Sequence, residues 1–151
     1  MPQLFAELAL LLGNEVVFFL VLGMLVFLAE KRPEKRKKII LGIVVVSLMV
    51  MGLKNLFAVE RPCTGDAAEH GCPSFPYLEH SFPSGHAAVA FLVMIAFLDK
   101  KPFPVFWLFA LLIAYTRIFL GVHTFADIAG ALVLAPIAYY VTDILWGRYF
   151  A

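Results

Sequence analysis

The stretch "EKRPEKRKKIILGIVVVSLMVMGLKNLFAVERP", residues 30–62, decides the fold. It opens on a basic cluster: Lys31, Arg32, Lys35, Arg36, Lys37 and Lys38. An apolar run from Ile39 to Val59 follows. About 20 such residues are what a helix needs to cross a bilayer core of roughly 30 Å. The run therefore predicts a transmembrane helix with a basic foot. Near its far end stand two more cations, Lys54 and Arg61, followed by Pro62.

Four further apolar stretches flank this one: Leu8–Leu28, Ser84–Leu98, Phe103–Leu120 and Ile128–Trp146. The chain is 62% hydrophobic and only 15% charged. Soluble domains are closer to half apolar, so the excess indicates a bilayer as solvent. The 151 residues suit a single domain. The expected fold is an all-α, polytopic transmembrane helical bundle of about five spans, with residues 60–83 as an outer lid loop. The third span is short. Its helix reaches only about 22 Å at about 1.5 Å per residue, so its start should lie below the membrane surface or against protein. The first stretch has no basic segment before it and reads as a retained span rather than a signal peptide. Pro136 is a candidate kink in the fifth. No internal repeat is visible.

Charge gives the orientation. With five alternating spans, the cluster at 31–38, Lys100, Lys101 and Arg148 all fall on one side. The positive-inside rule makes that side cytoplasmic, with the N-terminus outside and the C-terminus inside. Three cations, Lys54, Arg61 and Arg117, lie toward the outer side against this bias. So do all four histidines: His70, His80, His86 and His123.

Snorkelling to lipid headgroups would explain Lys54 or Arg61 alone. Pro62 should end the second helix, and Lys54 and Arg61, seven apart on it, share one face two turns distant. In "PSGH", Ser84 suits a helix N-cap and Gly85 lets a ligand approach the backbone. A helix N-terminus with free N–H groups is an anion site, and His86 beside it can donate a proton. In "TRIFLGVHTFAD", Arg117 can fork two phosphate oxygens. His123 and Asp127 are one helical turn apart. A carboxylate on one ring nitrogen leaves the other as nucleophile. Three cations against one carboxylate suit a phosphoryl group, whereas a divalent metal would want carboxylates in excess. The reading is a metal-free, cofactor-free phosphoryl site. Lys54, Arg61, Arg117 and the amides of Ser84, Gly85 and His86 would hold its oxygens.

These three blocks, Lys54-x6-Arg61-Pro62, Pro83-Ser84-Gly85-His86 and Arg117-x5-His123-x3-Asp127, resemble the tripartite signature of the type 2 phosphatidic acid phosphatase superfamily. Order and spacing agree in all three. Thr116 stands where the family usually has serine, and it keeps the hydroxyl. The resemblance implies that His123 attacks phosphorus, Asp127 orients it and a phosphohistidine forms. His86 would protonate the leaving oxygen, and water would then hydrolyse the intermediate. It implies an integral membrane enzyme acting on a lipid phosphate or pyrophosphate from the extracytoplasmic side. Isoprenoid pyrophosphate is slightly favoured over phosphatidylglycerol phosphate, phosphatidic acid or diacylglycerol pyrophosphate.

Cys63 and Cys72 are candidates for a disulfide pinning the lid, since an oxidising exterior favours one. Two free thiols and a zinc site with His70 and His80 are the alternatives. No nucleic-acid partner is expected, and a homo-oligomer is left open. Two rival functions stand beside the phosphatase. One is a phosphotransferase using the same site. The other is a small transporter relaying protons through the histidines, which midplane charges and repeats would favour.

Overall fold

The computed structural model describes residues 2–64 and 80–150. Among them there are six helices and no strand: α1 (Pro2–Gly13), α2 (Glu15–Ala29), α3 (Pro33–Phe57), α4 (Gly85–Ala96), α5 (Phe103–Phe119) and α6 (Phe125–Tyr149). Among the described residues, α3 and α6 are long and apolar enough to cross a membrane, and the α1–α2 pair makes a third if counted as one span.

The first apolar stretch departs from expectation. It is broken at Asn14, where α1 and α2 meet at 85°. The cause is a cap inside an apolar run. The Asn14 side chain accepts from the N–H groups of Val16 (3.0 Å) and Val17 (3.2 Å), which starts a new helix at Glu15. Glu15 thus lies in the first turn of α2, where the helix dipole favours a carboxylate. α1 turns away and lays Phe5 against Tyr115 and Phe119 on α5.

α4 is the centre of the bundle. It packs against α3, α5 and α6, and every residue from Ala87 to Val93 is buried. At 12 residues it is about 18 Å long, too short to cross alone. Hydrophobic transfer does not drive helices together inside lipid, so close packing must. Small residues supply it: Ala87, Ala88 and Ala90 on α4, Ala110 and Ala114 on α5, and Ala131, Ala135 and Ala138 on α6 are all buried. Gly42 on α3 belongs to the same set. A Cβ there would sit 3.1 Å from Leu92. Outward-facing Leu20, Phe27, Ile40, Leu48, Leu108, Val133 and Tyr140 stay exposed, as lipid-facing side chains would be. These apolar helices mark a membrane protein.

At the basic end, Phe97 stacks on Phe106 with centroids 4.1 Å apart, closing the α4–α5 turn. Lys100 reaches Glu30 at 3.2 Å, and Lys38 pairs with Asp143. Asp143, an acid within the fifth apolar stretch, is thus one half of an α3–α6 ion pair. α6 runs unbroken through Pro136.

Candidate active site

The opposite end of the bundle gathers the C-termini of α3 and α5 and the N-termini of α4 and α6. The α5–α6 turn depends on Gly121, whose φ is +68°. A Cβ there would lie 1.7 Å from the Thr64 carbonyl oxygen. That close approach lets Thr64 N–H donate to Gly121 C=O at 3.1 Å, stapling the segment after α3 onto the turn.

The turn places His123 just before the Thr124 N-cap of α6. Thr124 caps α6: its hydroxyl accepts from Asp127 N–H at 3.3 Å, and Asp127 Oδ2 accepts from Thr124 N–H at 2.6 Å. This capping box fixes Asp127 in the first turn, where the helix dipole favours its charge. The same Oδ2 lies 3.4 Å from His123 Nδ1. Both side chains are buried. Burial holds the His123 imidazole at about 4, below its usual 6.5. Asp127 pulls it up, while Arg61 and Lys54 push it down. His123 is therefore neutral at pH 7, with Nδ1 turned to Asp127 and Nε2 left over.

α4 is fastened to α6 by Ser84 N–H donating to the Asp127 carbonyl at 3.2 Å. That amide is already bonded, so it does not serve as a free anion donor as the sequence suggested. Ser84 stands at the N-cap of α4, yet its hydroxyl makes no capping bond. Ser84 Oγ and His86 Nε2 are buried and lack a hydrogen-bond partner among the described residues. Buried polar atoms are nearly always satisfied, so two orphans at the start of one helix point to a polar ligand. The His86 ring rests on Phe18 of α2, centroids 4.7 Å apart. His86 lies within electrostatic reach of Arg117, His123, Arg61 and Lys54.

The three cations come together with different local duties. Lys54 is buried on α3 and donates to the carbonyls of His80 and Ser81, the latter at 3.4 Å. Arg117, on α5, is buried. Its Nη2 donates to Ala9 C=O of α1 at 3.1 Å, and its Nε to Thr116 Oγ1 at 3.3 Å. Gly13 makes room for it, since a Cβ there would lie 3.0 Å from Nη2. Arg61 does not share a helix with Lys54. α3 ends at Phe57 because Ala58 takes the left-handed conformation (φ 48°), its N–H closing onto Lys54 C=O. Arg61 instead enters from a non-helical segment, with Nη1 3.5 Å from Val122 C=O. Burial lowers its pKa and the Asp127 charge opposes this.

Sequence reasoning overlooked Ser81. It is fully buried. Its hydroxyl donates to Asp127 Oδ2 and lies 3.3 Å from His123 Nδ1. Asn14, a polar residue inside an apolar run, and Ser81, just before another, both fall outside any spaced motif. Cys63 is disulfide-bonded. Cys72, His70 and most of the expected lid lie outside the described residues. No group of three or more His, Cys, Asp or Glu able to hold a metal occurs among the described residues.

Residues 36–150 match the family model of the PAP2 superfamily, and the chain belongs to that family. Membership in this family and the fold both support a lipid phosphatase. The chain is similar to a solved structure, "Crystal structure of Aquifex aeolicus LpxE", at 29% identity and a TM-score of 0.65. The match covers 94% of this chain and 82% of that one. No curated protein matches significantly.

Proposed function

We propose that this protein hydrolyses the terminal phosphate of a membrane lipid phosphate or pyrophosphate through a phosphohistidine on His123, without a metal. One observation carries the reading. The orphaned Ser84 Oγ and His86 Nε2 are buried at the same end of the bundle as the His123–Asp127 pair, with three cations around them. A phosphoryl group supplies the acceptors these atoms lack.

The steps follow from the residues. Neutral His123 directs Nε2 at phosphorus, and the P–N bond forms as the P–O bond to the leaving group breaks. His86, protonated on Nε2, gives that proton to the departing oxygen. Water then attacks the phosphohistidine, passing a proton to His86 as the P–N bond breaks. Inorganic phosphate leaves and both histidines are restored. Lys54, Arg61, Arg117, Ser84 and the Gly85 amide stabilise charge on the transferring oxygens. Positive groups already crowd the site, so a metal is not required to neutralise the phosphate.

The chain crosses the bilayer five times in this reading, with the site on the extracytoplasmic side and the C-terminus cytoplasmic. A substrate keeps its hydrocarbon tail in lipid and presents its phosphate at the α4 N-terminus. Isoprenoid pyrophosphates are the favoured class.

The test is inorganic phosphate release in detergent from isoprenoid pyrophosphate, phosphatidylglycerol phosphate, phosphatidic acid and diacylglycerol pyrophosphate. It is run with and without a chelator. Release that persists in chelator and vanishes in His123→Ala is expected. Release dependent on added metal, or intact in the variant, contradicts the reading.

A further inference from the structure

We propose that Ser81, outside the three motifs, is a positioning residue: its hydroxyl holds His123 in the tautomer that presents Nε2 to phosphorus. This rests on the reading of His123 as nucleophile and concerns how the ring is prepared.

The argument is one of donors and acceptors. A serine hydroxyl has one proton, and an ionised carboxylate can only accept. Ser81 Oγ therefore donates to Asp127 Oδ2. Its lone pairs then face His123 Nδ1 at 3.3 Å. Asp127 Oδ2 faces the same nitrogen at 3.4 Å. Both neighbours of Nδ1 are acceptors, so Nδ1 must carry the ring proton and Nε2 the lone pair. Neither contact is short, and the carboxylate alone would hold the ring loosely. Ser81 supplies the second acceptor and at the same time pins the first.

Ser81 is itself held from three sides. Its N–H donates to Val59 C=O at 2.7 Å, beyond the end of α3. Its carbonyl and that of His80 accept from Lys54 Nζ. Its side chain closes on α6. Lys54 thus has a second duty besides its charge: it ties the residue that orients the nucleophile.

The test uses the full chain in detergent with 15N-histidine labelling. His123 resonances are assigned by their loss in His123→Ala. The native protein should show distinct Nδ1–H and unprotonated Nε2 signals. In Ser81→Ala the two should move toward each other as the tautomers mix. In parallel, kcat should fall roughly 10- to 100-fold, the size of a lost hydrogen bond to a charged group, with KM within about twofold. Ser81→Thr, which keeps the hydroxyl, should restore both. Should the alanine variant not fold, Ser81→Cys, similar in size with a weaker donor, is measured in its place. An unchanged tautomer or an unchanged kcat in the variant lacking the hydroxyl overturns the proposal. If the native protein releases no phosphate, the functional reading fails on its own, while the resonance measurement still decides what Ser81 does to the ring.

Discussion

His123 sits where two opposing requirements meet. The nucleophile proposed for this site must be neutral, and burial beside Arg61 and Lys54 keeps His123 so down to about pH 4 despite Asp127. The sign follows directly. The folded pKa lies below the unfolded value near 6.5, so the unfolded chain binds more protons in between. Stability from this group is intact above about 6.5 and declines as pH falls toward 4. The acid limb of kcat/KM should accordingly lie well below 6.5, near 4. A pH profile of phosphate release checks this, and a limb at 6.5 or above counts against a buried neutral His123. Gly121→Ala should be severely destabilising, by about 3 kcal/mol or more, because it adds backbone strain to a collision with the Thr64 carbonyl. Thermal unfolding in detergent measures it. At this scale the sequence was most informative. That His86, His123 and Asp127 gather at one end of the bundle was legible from their spacing relative to the apolar runs. Ser81 was not, because a buried hydroxyl that bonds across 42 and 46 positions leaves no local pattern.

Helical elements were legible by hydropathy and obscured wherever one residue overrides it. The basic foot and the apolar run of α3 were plain, though its end was placed too late. Pro62 predicts the end of the helix, while a left-handed Ala58 stops it at Phe57. Arg61 consequently enters the site from a non-helical segment. Asn14 is the sharper case. Surrounded by apolar residues its polarity is easily missed, yet its cap turns the chain through 85° and sends α1 to α5. Asn14→Ala should cost about 1 kcal/mol and lower the unfolding temperature. It should also reduce kcat by weakening the Ala9–Arg117 bond that depends on the bend. A variant as stable and as active as the native protein would show that the bend is maintained without the cap.

The whole molecule divides its labour between its two ends. Nine cations and four acids, Glu30, Glu34, Asp99 and Asp143, lie at the basic end. The proposed phosphoryl site lies at the other. Alanine faces on α4, α5 and α6 let the short central helix be wrapped by longer ones, which recesses the α4 N-terminus to the depth of Asp127. The all-helical architecture was legible because apolar stretches and charge clusters alternate. The tight centre was not, since alanines read as merely apolar until their partners are known. A fluorescent protein fused after residue 151 should fluoresce in intact cells as a cytoplasmic fusion; failure to fold and fluoresce there would reverse the orientation. The most direct measurement is to quench the protein during turnover of a 32P-labelled lipid phosphate and analyse the bound label. The account predicts an acid-labile, alkali-stable phosphoenzyme that is absent from His123→Ala. Turnover with no label on the protein, or label retained in that variant, contradicts it.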